Sequence, residues 1–182
     1  SLGTIPTLYN ASHLFIKSRP GRKSRAVSRN LVDSLRQLIV GGEDFAQLAE
    51  QFSQDPGSAR SGGELGFVNR GTFVPAFERV AYALSPGEVS GLVETEFGYH
   101  IIEVLEVMGD KVNVRHILIS PKVSAADEDS LYAFASLVRD SIKTEEDFSR
   151  LAKNHSDDIS TKEAGGRLGW VDANKFPVEE IG

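Results

Sequence analysis

The 182-residue chain contains no cysteine, which excludes disulfides, thiolate metal sites and cysteine nucleophiles. It also lacks any apolar run near the ~20 residues that a transmembrane helix needs, and no cleavable leader is visible at Ser1. The net charge of −6 argues against nucleic acid as the main partner. The remaining composition, 40% hydrophobic and 25% charged, is that of an ordinary globular protein.

Signatures of bound phosphate and bound metal are missing as well. The glycine-rich fingerprints that cradle phosphate groups do not occur, and the acidic residues are scattered without metal-ligand spacing. The four histidines show no ligand pairing either; they are His13, His100, His116 and His155. We therefore expect neither a metal nor a cofactor.

What the sequence does contain is a repeat at a constant offset of 103 residues. Ser-His-Leu-Phe-Ile at 12–16 matches Arg-His-Ile-Leu-Ile at 115–119. Gly-Gly-Glu-Leu-Gly-Phe-Val at 62–68 matches Gly-Gly-Arg-Leu-Gly-Trp-Val at 165–171, still without an inserted residue. This register indicates two copies of one folded unit. Residues 77–106 of the first copy have no counterpart before the chain ends.

The repeat sets the expected domain bounds. We expect an N-terminal arm at 1–11, a complete first domain at 12–107, a linker at 108–112, and a second domain, truncated at its C-terminal end, at 113–182. We also expect that a leader and further domains of the parent protein lie outside this chain.

Helical apolar stripes and β-rich runs alternate along the first copy. The predicted elements, in the order β-α-α-β-α-β-β, are a strand at 12–16, helices at 27–38 and 45–52, a strand at 65–68, a helix at 77–84, and strands at 89–94 and 99–107. This order predicts an α+β domain with helices packed on a small sheet. In the second copy, Thr144 is predicted to cap a helix through the Thr144-x-x-Asp147 pattern.

The first copy contains a series of short motifs. In chain order they are His-Leu-Phe-Ile, Phe-x-x-Leu-Ala-x-x-Phe-Ser-x-Asp, Gly-Gly-x-Leu-Gly, Phe-x-Pro-x-Phe-Glu, Leu-x-Pro-Gly-Glu-Val-Ser and Val-x-Thr-x-Phe-Gly-Tyr-His-Ile-Ile. This order and spacing resemble the parvulin family of peptidyl-prolyl cis/trans isomerases over nearly all of 12–107. The second copy resembles the same family over 113–177. The tandem pair is similar to the periplasmic chaperone-isomerases of the survival protein A type, which implies a small antiparallel sheet flanked by helices in each copy.

The resemblance implies a polar network at the base of the active site. Two strand histidines of the family face each other beneath the substrate pocket, and the matching residues are His13 and His100. Asp55 holds the position of the cysteine or aspartate that the family places within reach of the imidazoles. Thr95 matches the polar residue that bonds to the histidine pair. These four are the implied catalytic residues.

The resemblance also implies an apolar substrate pocket for proline. Leu65, Phe73 and Phe77 match its lining positions, with Phe73 in place of the commoner methionine. Phe97 replaces the serine that often precedes the Gly-x-His, so it is an apolar substrate-binding candidate.

Copy two matches only part of the family's site pattern. It retains counterparts of several site residues, namely His116, Asp158, Leu168 and Phe176. It has no counterpart of His100 or Thr95, and Glu180 stands in the place of Phe77. We therefore expect copy two of this chain to be inactive.

The implied function is peptidyl-prolyl cis-trans isomerisation (EC 5.2.1.8) of unfolded, proline-containing polypeptides in the bacterial periplasm or envelope, where clients would include outer-membrane proteins. The alternative is a non-catalytic chaperone module that binds peptide in the same groove. A third alternative comes from the basic segment Lys17–Arg29, which lies where phosphate-directed parvulins select phosphoserine or phosphothreonine before proline. The plain reading of that segment is a solvated basic loop, and it could also steer acidic clients or anionic lipid.

Overall fold

The computed structural model describes residues 8–172. Within this range the chain forms two compact units. The contiguous unit is Pro20–Ser124, and the composite unit combines residues 8–19 with residues 125–172. The structural boundaries therefore differ from the expected domain bounds of 12–107 and 113–182.

The regular elements follow one another in the order expected for a repeated β-α-α-β pattern. They are β1 (Leu8–Ser12), α1 (Arg22–Val40), α2 (Phe45–Phe52), β2 (Glu64–Val68), α3 (Pro75–Ala81), β3 (Val93–Thr95), β4 (Gly98–Met108), β5 (Lys111–Ile119), α4 (Ala125–Ser141), α5 (Glu145–His155) and β6 (Arg167–Asp172), with short 3-10 turns at Ala59–Ser61 and Lys162–Ala164.

The contiguous unit is built on a four-stranded antiparallel sheet in the order β2-β5-β4-β3. Strands β4 and β5 pair from Tyr99↔Ile119 to Met108↔Lys111. Only Gly109 and Asp110 separate these two strands, and Gly109 has the positive φ of 62° that tight hairpin turns require. The β5 strand lies between β2 and β4, so it is one of the two inner strands and joins β2 to the β4–β3 half of the sheet.

Side chains alternate between the two faces of this sheet, and each face carries its own core. Helices α1 and α2 cover one face, packing Val32, Leu35, Phe45, Leu48 and Ala49 against Tyr99, Ile101, Ile117 and Ile119. Helix α3 covers the other face, packing Phe77 and Ala81 against Val93, Ile102, Val104, Val112 and Val114. The α+β class with an antiparallel sheet and flanking helices is therefore confirmed.

The composite unit pairs the first described strand of the chain with the last. Strands β1 and β6 run antiparallel from Leu8↔Asp172 to Ser12↔Arg167, and helices α4 and α5 belong to the same unit. The Thr144 hydroxyl accepts a hydrogen bond from the Asp147 backbone N–H at 3.1 Å. The predicted cap of this helix is thus confirmed.

The predicted first strand is not part of the sheet of the contiguous unit. Its β pairing covers Leu8–Ser12 instead of 12–16, and its partner is β6. The place expected for it, beside β4, is held by β5. The physical reason is chain connectivity, because a two-residue turn brings β5 onto β4 at far smaller entropic cost than closing a loop of about 90 residues.

Three smaller expectations also change. Residues 8–11 of the expected arm are strand, and the expected linker at 108–112 is the β4–β5 hairpin turn with its flanking residues. The strand predicted at 89–94 is reduced to Val93–Thr95, with one isolated bridge between Val89 and Glu103. There the Ser90 Oγ accepts the Ile102 N–H at 2.9 Å and so interrupts the ladder. The positions of Phe176 and Glu180 lie outside the described residues.

Substitutions at two glycines of the Gly-Gly-x-Leu-Gly motif can test how tightly β5 is held. Gly63 (φ 82°) lies against β5, where an added Cβ would overlap the carbonyl oxygen of His116. Gly66 (φ 72°) has no atom within 4 Å of such a Cβ. Gly66→Ala should cost only the ~1–2 kcal/mol of a left-handed alanine. Gly63→Ala should cost a further ~1–3 kcal/mol of overpacking.

The measurement is amide hydrogen exchange of β4 in both variants under identical conditions, which reports opening of the contiguous unit. Equal loss of protection in the two variants would contradict the close contact between Gly63 and β5.

Candidate active site

A pair of histidines lies on the α3 face of the sheet. His100 is on β4 and His116 on β5, and the register His100↔Leu118 makes them diagonal neighbours across the two strands. Their Nδ1 atoms are 3.2 Å apart, and the rings stack with centroids 5.4 Å apart and planes 17° apart. The two residues are only 4% and 6% exposed, so their polar atoms need partners within the protein.

On the β5 side, the partners come from the loop after α2. The Oδ2 atom of Asp55 is 2.9 Å from His116 Nε2, and the Ser58 Oγ is 3.1 Å from the same nitrogen. Ser58 also donates to Asp55 Oδ2, and the Gly57 backbone N–H donates to Asp55 Oδ1 at 3.1 Å. The carboxylate of Asp55 is therefore bonded on both oxygens.

On the β4 side, the partner is the hydroxyl of Thr95 at the end of β3. Its Oγ1 lies 2.7 Å from His100 Nε2 and accepts the Phe97 backbone N–H at 3.1 Å. The Ser120 hydroxyl donates to the Phe97 carbonyl at 2.7 Å. These bonds hold the β3–β4 turn against the histidine pair.

The bonding partners form one continuous chain of hydrogen bonds. An ionised Asp55 requires a proton on His116 Nε2. One of the two Nδ1 atoms carries the proton of the bond between the rings, and the Thr95 hydroxyl is the partner of His100 Nε2. Every ring nitrogen of the pair therefore has a hydrogen-bond partner within the protein.

The acidities agree with this arrangement. Burial raises the pKa of Asp55, but the hydrogen bonds from Ser58, His116 and the Gly57 N–H outweigh it and lower that pKa to about 2. Burial lowers the pKa of His100 to about 4, and the neighbouring His116 acts in the same direction. At neutral pH Asp55 is thus an anion and His100 a neutral imidazole.

An apolar cavity of about 590 Å³ opens above the polar chain. Phe77 contacts both imidazoles edge-on, with ring centroids 5.3 Å from His100 and 5.5 Å from His116. Phe73 packs on Phe77 at 4.6 Å. The other lining side chains include Leu65, Val74, Phe97, Leu118, Pro56 and Thr72. The cavity can hold a small apolar ring above the histidine pair.

The comparison with known proteins agrees with this geometry. The family described as rotamase, the PPIC-type PPIase domain, matches residues 13–106 and again residues 116–180. The chain belongs to this family. The two matched segments start 103 residues apart, at His13 and His116, which is the offset of the repeat.

Several PPIC-type relatives cover the chain in different ways. Chaperone SurA of Pseudoalteromonas atlantica is 30% identical over 176 residues, 92% of this chain and 41% of that protein. Foldase protein PrsA of a Geobacillus species is 43% identical over 96 residues, 53% of this chain and 31% of that protein. The solved structure of Pin from Cenarcheaum symbiosum is 33% identical with a TM-score of 0.39, covering 57% of this chain and 96% of that one. Nearly the whole chain takes part in the match with this SurA protein, and the chain spans about two fifths of that protein's length.

Of the predicted PPIC-type site residues, the structure brings seven together and separates one. The cavity is lined by six of them, namely Asp55, His100, Leu65, Phe73, Phe77 and Phe97. The seventh, Thr95, bonds to His100 through its hydroxyl. His13 lies in the composite unit, where its Nε2 is 2.7 Å from Asp158 Oδ2 and 3.0 Å from Thr161 Oγ1. The prediction that His13 faces His100 is therefore wrong for this structure, because β5 fills the place of the first strand.

The residue that sequence reasoning missed is the second histidine of the pair, His116. The repeat itself carried the signal, because His116 is the counterpart of His13 and stands in a matching apolar run. Ser58 and Leu118 were also missed. Ser58 is 1% exposed and contacts both Asp55 and His116. A single serine in a loop belongs to no sequence pattern that predicts this role.

The part of the basic segment that belongs to the contiguous unit, 20–29, contributes no residue to the cavity lining. Arg19 bonds to Asp157 at 2.8 Å in the composite unit. Arg25 lines a second, smaller space of about 290 Å³ next to Thr95, and Glu94 and Glu96 line it too. Two carboxylates beside one guanidinium disfavour a phosphate group there.

Two further properties concern residues 8–172. No helix in that range is both long enough and apolar enough to cross a membrane. In the same range, no cluster of three or more histidine, aspartate or glutamate side chains is arranged to hold a metal ion.

The lowered pKa of His100 predicts an acid-sensitive fold. Between about pH 4 and 6.5 the unfolded chain binds a proton at this position and the folded chain does not, so protons favour unfolding. The stabilisation is complete above pH 6.5 and is lost as the pH falls below it. We expect a loss of about 2 kcal/mol between pH 7 and pH 5.

The measurement is the hydrogen-exchange free energy of the β4 amides at the two pH values, corrected for intrinsic exchange. His100→Asn is the matched control, since it removes the titrating group. An equal pH dependence in wild type and His100→Asn would rule His100 out as the cause.

Proposed function

We propose that the contiguous unit is a peptidyl-prolyl cis-trans isomerase that rotates X–Pro bonds in unfolded or extended polypeptides. The observation that carries this proposal is the apolar cavity floored by a buried histidine pair. Membership of the PPIC-type family supports the same activity.

The reaction needs no nucleophile and no cofactor. The amide resists rotation because resonance gives its C–N bond partial double-bond character, with a barrier of ~18–20 kcal/mol. The cis and trans forms of an X–Pro bond differ by only ~0.5–1 kcal/mol, so the enzyme must lower a barrier without driving an equilibrium. Binding the twisted amide better than either planar form achieves this.

The cavity is suited to that difference in binding. The prolyl ring would seat against Phe73, Phe77 and Leu65, which fix one side of the amide by apolar contact. The twisted amide has lost the charge separation of the planar form, so a water-poor apolar wall favours it. The preceding carbonyl stays free to rotate toward the open mouth of the cavity, where Phe97 is 58% exposed.

The polar chain beneath the cavity would keep its floor in place. Because every nitrogen of His100 and His116 is bonded, the rings hold one orientation under Phe77. A chain of this kind strengthens through mutual polarisation. Asp55 supplies the fixed negative end that orients it.

Direct attack by Asp55 on the substrate carbonyl is the less favoured mechanism. Its pKa of about 2 marks a weakly basic carboxylate, and Oδ2 is already engaged by His116 and Ser58. An amide is a poor acceptor for such a group. We therefore assign Asp55 a positioning role.

We further propose that the parent protein works in the bacterial envelope or periplasm as a folding factor. The relatives named chaperone SurA and foldase protein PrsA support a role in folding. The clients would be unfolded polypeptides containing proline, outer-membrane proteins among them. Because Glu94 and Glu96 flank Arg25, the substrates should not need a phosphate before proline.

Phe73 gives the most direct test of catalysis, because it lines the cavity and is only partly buried. Phe73→Ala should lower kcat/KM for an Ala-Pro or Phe-Pro peptide by about tenfold to a hundredfold, the equivalent of ~1.5–3 kcal/mol of lost apolar contact. The assay is protease-coupled isomerisation. Phe67→Ala is the matched control, since Phe67 is 41% exposed on β2 and lies outside the cavity lining.

The same pair of variants separates an enzyme from a binding module. If wild type, Phe73→Ala and Phe67→Ala accelerate isomerisation equally little while wild type still binds an unfolded client, the chaperone-only alternative holds and the isomerase proposal fails.

Substitutions of Asp55 distinguish a positioning role from nucleophilic attack on the substrate carbonyl. Asp55→Asn keeps an oxygen that can accept the His116 proton, whereas Asp55→Ala removes it. A positioning role predicts that Asp55→Asn keeps activity within about fivefold of wild type, while Asp55→Ala loses about tenfold or more. The measurement is kcat/KM with the same peptide. Equal, near-complete loss in both variants would favour nucleophilic attack.

A further inference from the structure

The two histidine strands of the chain are held by equivalent contacts in the two units. In the contiguous unit, His116 N–H donates to the Gly63 carbonyl at 2.9 Å, and Gln54 N–H donates to the Leu118 carbonyl at 2.7 Å. In the composite unit, shifted by 103 residues, His13 N–H donates to the Gly166 carbonyl at 2.8 Å and Asp157 N–H to the Phe15 carbonyl at 2.7 Å.

The side-chain contacts repeat in the same way. Each histidine Nε2 meets an aspartate and a hydroxyl: Asp55 and Ser58 for His116, Asp158 and Thr161 for His13. Three further pairs of contacts match at the same offset. The Leu118 N–H donates to Ser53 Oγ as the Phe15 N–H does to Ser156 Oγ, and the Ser120 N–H donates to the Gln54 side chain as the Lys17 N–H does to the Asp157 side chain. Gly63 approaches His116 closely, as Gly166 approaches His13.

Each strand therefore lies against the helix and loop of the other repeat. Strand β5 at 111–119 belongs to copy two by sequence but binds the loop of copy one, and the segment 8–16, which contains β1 and His13, does the reverse. The two binding places therefore present matching hydrogen-bonding groups to the segments that they hold.

We propose that the two strands exchange, so that residues 8–16 can take the place of residues 111–119 beside β4. His13 would then stand next to His100 and bond to Asp55 and Ser58, and His116 would bond to Asp158 and Thr161. The site of the contiguous unit would stay complete in both arrangements, with either histidine as the partner of His100.

The spacing along the chain allows both arrangements. His13 precedes the first residue of α1, Arg22, by nine positions, and His116 precedes the first residue of α4, Ala125, by the same nine. Either strand therefore reaches its helix with a connection of equal length. The β4–β5 turn at Gly109 would open into a link between the two copies.

The side chains set which arrangement dominates. In the sheet, Val114 is fully buried on the α3 face, and its counterpart in strand 8–16 is the smaller Ala11. Arg115 bonds to Glu103 at 2.7 Å and lies 4.6 Å from the ring of Phe45. Its counterpart, Ser12, can make neither contact. Strand 111–119 therefore fits better, and the exchanged form is the minor one.

The test uses disulfide capture in the full chain, which has no native cysteine to interfere. Glu103→Cys with Arg115→Cys captures the present arrangement, because the two positions are Cα partners, and antiparallel partners lie within disulfide range. Glu103→Cys with Ser12→Cys captures only the exchanged one, since Ser12 now pairs with Arg167. Glu103→Cys with Ala11→Cys is the matched control, as Ala11 would point to the opposite face of the sheet.

All three variants are incubated in a glutathione buffer at low protein concentration and analysed by non-reducing electrophoresis and peptide mass spectrometry. Exchange predicts an intramolecular bond between positions 12 and 103, formed at least about tenfold faster than the bond between 11 and 103. A bond between 12 and 103 that is absent, no faster than the control, or found only between two chains overturns the proposal.

A second change tests whether the strand actually packs into the sheet. Added to the Ser12→Cys variant, Ala11→Val should speed capture, because it restores the side chain of Val114, and Ala11→Asp should slow it. A capture rate that responds to neither change would show that the cysteines meet without packing and would overturn the proposal. These readouts do not depend on isomerase activity, so they stand apart from the proposed function.

Discussion

The packing of β5 between β2 and β4 is the constraint on which the contiguous unit depends. This single strand joins the halves of the sheet, contributes to the core on both faces, and brings His116 to His100. The loop after α2 binds it through Ser53, Gln54 and Asp55, so the polar chain of the site and the hydrogen bonds of the fold are largely the same interactions. A change that loosens β5 would therefore affect stability and site together.

The site combines two environments that would be unstable apart. A buried histidine pair costs free energy unless every nitrogen is bonded, and the bonds to Asp55 and Thr95 supply those partners. An apolar cavity needs a floor that does not attract water, and the fully bonded imidazole pair under Phe77 provides one. The chemistry proposed for this protein is rotation of an amide without a covalent step. It requires only that the shape and polarity of the cavity stay fixed.

Sequence reasoning identified most of this site because its residues lie in local motifs. Asp55 comes two residues after Ser53 at the end of α2, Thr95 and His100 share one hairpin, and Phe73 and Phe77 are four residues apart. Their relative positions follow from short-range geometry, and in the structure they lie around one cavity. The first histidine was different, because its position depended on which of two similar strands enters the sheet, a contact between residues about 90 positions apart.

The sequence by itself determined the repeat, the α+β class, the apolar pocket and the family, since these follow from local periodicity and from motif order. Only the tertiary structure decided that His116, and not His13, faces His100. The reason is physical: at an offset of 103 residues both strands present the same hydrogen-bonding groups, so local pattern cannot distinguish them. Packing does, because Val114 and Arg115 fill the sheet where Ala11 and Ser12 would not, and a two-residue turn delivers them there.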